Sequence, residues 1–177
     1  MLASKLPHVG TTIFTTMSAL AQQYNAINLA QGFPNFEIDA VLQNCLIEAA
    51  QSNAHQYAPM PGLLELRMQI VALIAQQYKR NIDPNEVLVT AGATQAIFTS
   101  IQALVHPGQE VIILDPSYDC YEAPVVLAGA QPIRIPLGLD FRPNWAQIRA
   151  SITANTRMLI TNNPHNPSGT IWDANDF

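Results

Sequence analysis

Apolar residues in the first eighty positions recur at helical spacing. Phe14, Met17, Leu20 and Ala21 form one stripe and predict a helix over about 13–24, capped by Thr11 or Thr12. Val41, Leu42, Cys45, Leu46 and Ala49 predict a second over about 39–52. Leu66, Ile70, Leu73 and Ile74 predict a third over about 64–79. Residues 27–30 read as a short extended piece. The polar, proline-bearing connection 53–62 is too long for a minimal turn.

After Asp83-Pro84-Asn85 the pattern changes. Short β-branched apolar runs at 86–90, 110–114, 131–135 and 157–162 alternate with helical stretches near 93–105, 119–128 and 144–151. That alternation predicts an α/β fold, a mostly parallel sheet with helices on both faces. Residues 1–40 read as an N-terminal arm and small-domain segment, and 41–177 as the sheet domain. The last residues, Asp173-Ala174-Asn175-Asp176-Phe177, look like a helix capped and begun, so more sequence is expected to follow.

Composition narrows the function classes. The 177 residues are 49% hydrophobic and 12% charged. The charged share is about half that of an average soluble domain, which suggests a face meant to be covered. The net charge of −5, with the basic residues scattered, gives no footprint for nucleic acid or an anionic membrane. Cys45 and Cys120 lack CxxC spacing and are expected to pack as small apolar residues in a reducing compartment. His8, His55, His106 and His165 show no metal spacing and are expected at the surface or in loops. With no signal-peptide core and no run of membrane-spanning length, the expectation is a cytoplasmic protein.

The chemistry concentrates where strands end. In Val87-Leu88-Val89-Thr90-Ala91-Gly92-Ala93-Thr94 an apolar run meets a small-residue turn and then a helix, whose apolar face is Ile97, Ile101, Leu104 and Val105. A glycine there admits a ligand close to the backbone, and the first-turn amides with the helix dipole suit a phosphate. An ordinary βα turn that binds nothing reads the same way. Two further strand ends carry Asp115-Pro116-Ser117-Tyr118-Asp119-Cys120-Tyr121 and Asn162-Asn163-Pro164-His165-Asn166-Pro167-Ser168-Gly169. In open α/β sheets ligands lie outside these carboxyl ends. An anion cradle, an aromatic ring and an amide together would hold a flat phosphorylated heterocycle. A packed tyrosine and a simple turn remain the alternative.

These segments, with Gln31-Gly32-Phe33-Pro34 and with Tyr57 five residues before Gly62, resemble the class I aminotransferases of fold type I. The opening Gly10-Thr11-Thr12-Ile13-Phe14-Thr15 and Met17-Ser18-Ala19-Leu20-Ala21 resemble the methionine-preferring branch, close to the kynurenine/glutamine transaminases. The resemblance implies pyridoxal 5'-phosphate as cofactor, an amino acid and a 2-oxo acid as substrates, and a homodimer. Gly92, Ala93 and Thr94 would hold the cofactor phosphate, Tyr118 would stack on its ring, and Asn166 would bond its phenolic oxygen. Tyr57 would reach the neighbouring subunit's phosphate. Gly32 would lie beside the substrate carboxylate and Phe14 would cover the side-chain pocket.

In such enzymes a lysine holds the cofactor and then moves the proton from the substrate Cα. The chain departs from the family here. Its only lysines, Lys5 and Lys79, do not match that position, so no catalytic residue is assigned and the chain is expected to be the N-terminal part of an aminotransferase, inactive alone. A lyase of the same fold acting on sulfur amino acids, and a non-catalytic interaction module, are the rival readings. Oxo acid against ammonia plus thiol separates the first, and a scaffold would need none of Thr94, Tyr118 and Asn166.

Overall fold

A computed structural model gives the fold, and its described residues are 3–32 and 34–176. Phe33 of the Gln31–Pro34 motif and the terminal residues 1, 2 and 177 lie outside them. The chain forms two compact units, one of residues 10–89 and one of residues 1–9 with 90–177.

The first unit contains the three predicted helices, α1 (Ile13–Gln23), α2 (Ala40–Gln51) and α3 (Leu64–Tyr78). Each boundary has a local cause. Thr12 caps α1 by accepting from the Thr15 amide at 3.3 Å, and Asp39 caps α2 by accepting from the Val41 amide at 2.8 Å. Lys79 ends α3 in the left-handed region, at φ 54°, and its Nζ donates to the Gln76 carbonyl at 3.0 Å.

The apolar stripes are not buried as expected. Phe14, Met17 and Leu20 are 38–40% exposed and Val41, Leu42 and Leu46 more so, while Cys45 also lies exposed. The one buried residue of these helices is Arg67, whose Nη1 donates to the Pro84 carbonyl at 2.9 Å. Periodicity marks a face that needs a cover; it does not say that the covering element lies in the same unit.

The extended pieces predicted at 27–30 and 86–90 form no sheet among the described residues. Pro84–Glu86 is a 3-10 turn closed by reciprocal bonds between Asp83 and Glu86. Residues 87–90 then run extended; the Val87 amide closes the turn on the Pro84 carbonyl at 3.2 Å, and the Val89 amide donates to the Pro61 carbonyl at 3.0 Å. Gly62 allows that approach: it sits at φ +98°, and a Cβ there would lie 2.6 Å from Val89 Cγ2.

The second unit is a three-stranded parallel sheet, β1 (Glu110–Asp115), β2 (Gln131–Pro136) and β3 (Thr156–Ile160), in the order β2-β1-β3. Its helices are α4 (Gly92–Leu104), α5 (Glu122–Leu127) and α6 (Trp145–Ala150). Ile112 faces Ile133 on one side and Leu159 on the other. As the central strand, β1 is buried from Val111 to Leu114, which explains why it reads as an unbroken apolar run.

Alternation along β1 divides the core. Val111 and Ile113 pack with Ile101 and Val105 at the end of α4 and with Tyr121 and Val125 at α5. Ile112 and Leu114 pack on the opposite face with Ile135, Ile148 of α6 and Trp172. The helices therefore cover both faces, as predicted. Two details differ: Leu104, expected on the apolar face of α4, is 48% exposed, and the helix expected over 119–128 begins only at Glu122. Residues 118–121 instead make the turn that carries Tyr118. Among the described residues no helix is long and apolar enough to cross a membrane.

Candidate functional site

The site builds from the start of α4. Gly92 adopts φ +82° with nothing within 4 Å of an added Cβ, so the backbone conformation, not crowding, calls for glycine. Its amide is taken by the Thr90 carbonyl at 2.8 Å, and the Ala91 amide by the Gln95 side chain at 2.5 Å. No side chain caps the helix. The Ala93 and Thr94 amides, which a first turn leaves without intrahelical partners, are the groups offered at its positive end. Gly92 thus contributes shape, and Ala93 and Thr94 contribute donors.

Tyr118 reaches the same place from the loop after β1. Its hydroxyl lies 3.5 Å from Thr94 Oγ1, and Cys120 Sγ lies 3.6 Å from that oxygen. The Cys120 thiol donates to Asp119 Oδ1 at 3.6 Å. Behind Tyr118, the half-turned ring of Tyr121 packs edge-on at 5.9 Å and 83°. Tyr121 is buried, and its hydroxyl accepts from Asn162 Nδ2 of the loop after β3 at 3.2 Å.

That third loop carries Asn166, which is exposed. His165 beside it lies in a loop, one of the two places expected for it, but it is buried rather than at the surface: it is 4% exposed, and its Nε2 lies 3.0 Å from the Pro116 carbonyl. Thr94 and Tyr118 are therefore in direct contact, and the Asn166 loop is fastened to the Tyr118 loop through its neighbours. Tyr57, Gly32 and Phe14 belong to the unit of residues 10–89. There Tyr57 is fully exposed in the connection after α2, Gly32 stands in open space, and Phe14 is 38% exposed on α1.

Both phenols are raised above the ordinary 10.0. For Tyr121 burial is the main cause; the Asn162 bond opposes it and Cys120 adds to it. For Tyr118 the Thr94 bond acts downward, but Cys120, burial and Asp119 together outweigh it. A folded value above the unfolded one means that folding resists ionisation. The associated stability is complete below pH 10.0 and is lost as pH rises through the raised values. We expect a spectrophotometric titration to show two late-ionising tyrosines in the native chain, neither of them late after denaturation, and one fewer in Tyr121→Phe.

Sequence patterning missed Cys120, Asn162 and His165 as members of the site. Cys120 was expected to be apolar filler, and the two others look like ordinary polar turn residues. The available signal was density: Asn162-Asn163-Pro164-His165-Asn166-Pro167 places hydrogen-bonding side chains between prolines at a strand's carboxyl end.

The model of the family "Aminotransferase class I and II" matches residues 24–177. The chain belongs to that family. Methionine aminotransferase of Escherichia coli K12 is 47% identical over 98% of the chain and 46% of its own length. Kynurenine–oxoglutarate transaminase 3 of Rattus norvegicus is 35% identical over 96% of the chain and 40% of its own length. A crystal structure of an Escherichia coli protein with methionine aminotransferase function superimposes with TM-score 0.94 at 46% identity, covering 99% of this chain and 47% of that one. N-succinyldiaminopimelate aminotransferase of Mycobacterium tuberculosis matches with TM-score 0.94 at 38% identity, over 99% and 47%. The fold is that of the fold type I aminotransferases, and the chain spans about half the length of the curated relatives it matches.

Class I aminotransferases are pyridoxal phosphate enzymes, and the geometry of this unit suits that group. The helix end is uncapped, the space before Gly92 is open, and the Thr94 hydroxyl stands beside an aromatic ring.

Proposed function

We propose that this chain supplies the cofactor-binding half of an aminotransferase that moves an amino group from methionine, or an aromatic amino acid, to a 2-oxo acid. The observation that carries the reading is the contact of Thr94 with Tyr118 at the uncapped start of α4, 3.5 Å between hydroxyls, in a chain 47% identical to methionine aminotransferase. When bound, pyridoxal phosphate supplies an electron sink for the bond changes at the amino acid Cα. The Ala93 and Thr94 amides and the Thr94 hydroxyl bind its phosphate, with Gly92 shaping the turn. The Tyr118 ring stacks on the pyridine face, and its raised phenol stays protonated at neutral pH and remains a hydrogen-bond donor. Asn166 donates to the phenolic oxygen, which tunes the ring's charge distribution.

Tyr57, wholly exposed, reaches the phosphate of a second copy in a homodimer; Gly32 and Phe14 border the substrate. The compartment we assign is the cytoplasm. Lys79 ends α3, where its Nζ donates to the Gln76 carbonyl, and we assign it that terminating role and not that of the cofactor-holding base, whose position in the family it does not match. The 177-residue chain alone is accordingly expected to show no repeated turnover in a coupled assay.

The reading is tested in two steps. Titration of the chain with pyridoxal phosphate, followed by absorbance and with inorganic phosphate as competitor, should saturate. Thr94→Val should weaken it about tenfold or more, the usual cost of a lost bond to a charged group. A chimera with residues 1–177 in place of the matching half of the Escherichia coli enzyme should then convert methionine to its 2-oxo acid. Unchanged binding in Thr94→Val removes the phosphate assignment. A folded, cofactor-loaded chimera that releases ammonia and thiol replaces the transferase reading with a lyase.

A further inference from the structure

His165 has no place in the chemistry above, yet it is buried and both its ring and its backbone are engaged. Its ring stacks near-parallel with two others, Phe141 at 6.3 Å and 22° and Trp172 at 5.7 Å and 18°. Its backbone amide donates to the Thr170 carbonyl at 2.8 Å, and its carbonyl accepts from the Gly169 amide at 2.7 Å. Both ring nitrogens are engaged: Nδ1 is 2.7 Å from Ser168 Oγ and Nε2 is 3.0 Å from the Pro116 carbonyl. A carbonyl can only accept, so Nε2 carries a hydrogen and donates to it.

The two ends of that bond matter. Pro116 lies two residues before Tyr118, and Asn166 follows His165 directly. The imidazole fixes the start of one loop against the middle of the other, across 49 residues of sequence. A polar group so deeply buried is costly to leave unpaired, which makes this a specific tie between loops.

We propose that His165 is a positioning residue, one that sets the spacing between the Tyr118 ring and the Asn166 carboxamide through its bond to Pro116. The proposal rests on the cofactor reading given above. Its effect is on the registration of the two loops: a displacement of about 1 Å in such a constellation is enough to cost one to two orders of magnitude in function.

Three substitutions separate this from a role in packing alone. His165→Leu removes both ring bonds. His165→Asn places an amide near Nδ1, toward Ser168, and leaves Pro116 without a donor. His165→Gln places an amide nitrogen near Nε2 and restores that donor. All three lose the flanking ring stack, so a purely structural role lowers melting temperature and cofactor binding together in every variant.

The expected result is a split. Pyridoxal phosphate affinity falls about tenfold in His165→Leu and His165→Asn and returns to near the starting value in His165→Gln. Without cofactor, hydrogen exchange at the amides of residues 117–120 speeds up in the first two and not in the third. Equal effects in all three variants, or affinities that simply track melting temperature, overturn the proposal. A starting chain that fails to bind pyridoxal phosphate overturns the cofactor reading instead, and the exchange pattern then decides the loop tie on its own.

Discussion

Ile113→Ala should destabilise the sheet unit by about 2–5 kcal/mol, read as a lower urea midpoint. Ile113 is 0% exposed in the middle of the central strand, against Ile101, Val105, Val111, Tyr121 and Val125. Truncation leaves a cavity walled by a strand ladder and two helices, which cannot close around it, so the cost lies toward the upper end. A domain of this size holds only about 5–15 kcal/mol in total, so much of the cooperative transition is expected to disappear. Leu104→Ala is the control. That side chain is 48% exposed at the margin of α4, and its loss should cost about 1 kcal/mol or less. Equal costs at the two positions would contradict the division of the core described here.

Gly62→Ala should cost about 2–4 kcal/mol in the unit of residues 10–89, measured by the same method. Two penalties act together. The backbone stands at φ +98°, which an L side chain adopts only under strain, and the new methyl would sit 2.6 Å from Val89 Cγ2 and 2.7 Å from Val89 Cβ. Because the nearest atoms include a Cβ bound to the backbone, a rotamer change does not relieve the contact. Val89→Ala in the Gly62→Ala background removes one clash and keeps the other, so it should recover part of the loss; Val89→Gly should recover more. Full recovery with Val89→Ala would mean that φ and the Cβ contact carry no cost.

The parts of the fold that were legible in the sequence share a local cause. Thr12 announces a helix start through its own chemistry, and the buried β1 announces itself as an unbroken apolar run because both its faces are covered. The parts that misled need information from elsewhere. Val87-Leu88-Val89 has every mark of a strand, but a ladder requires a partner strand, and among the described residues its amides meet only the single carbonyls of Pro84 and Pro61. The stripes of α1 and α2 are amphipathic and yet exposed in this unit. At the site, Thr94 and Tyr118 could be anticipated from their positions after apolar runs. His165 could not, since its burial depends on Phe141 and on the Pro116 carbonyl, both contributed by segments that precede β3.

The two margins of the sheet differ in what they offer. Along β2 the odd positions bond inward, as the Gln131 and Leu137 amides do to the Gln109 and Asp115 carbonyls. The even positions, Pro132, Arg134 and Pro136, face outward, and only the arginine has an amide hydrogen to give. β3 contains no proline. An incoming strand would find a single backbone donor along the outer border of β2, so Pro132 and Pro136 close that margin to further pairing.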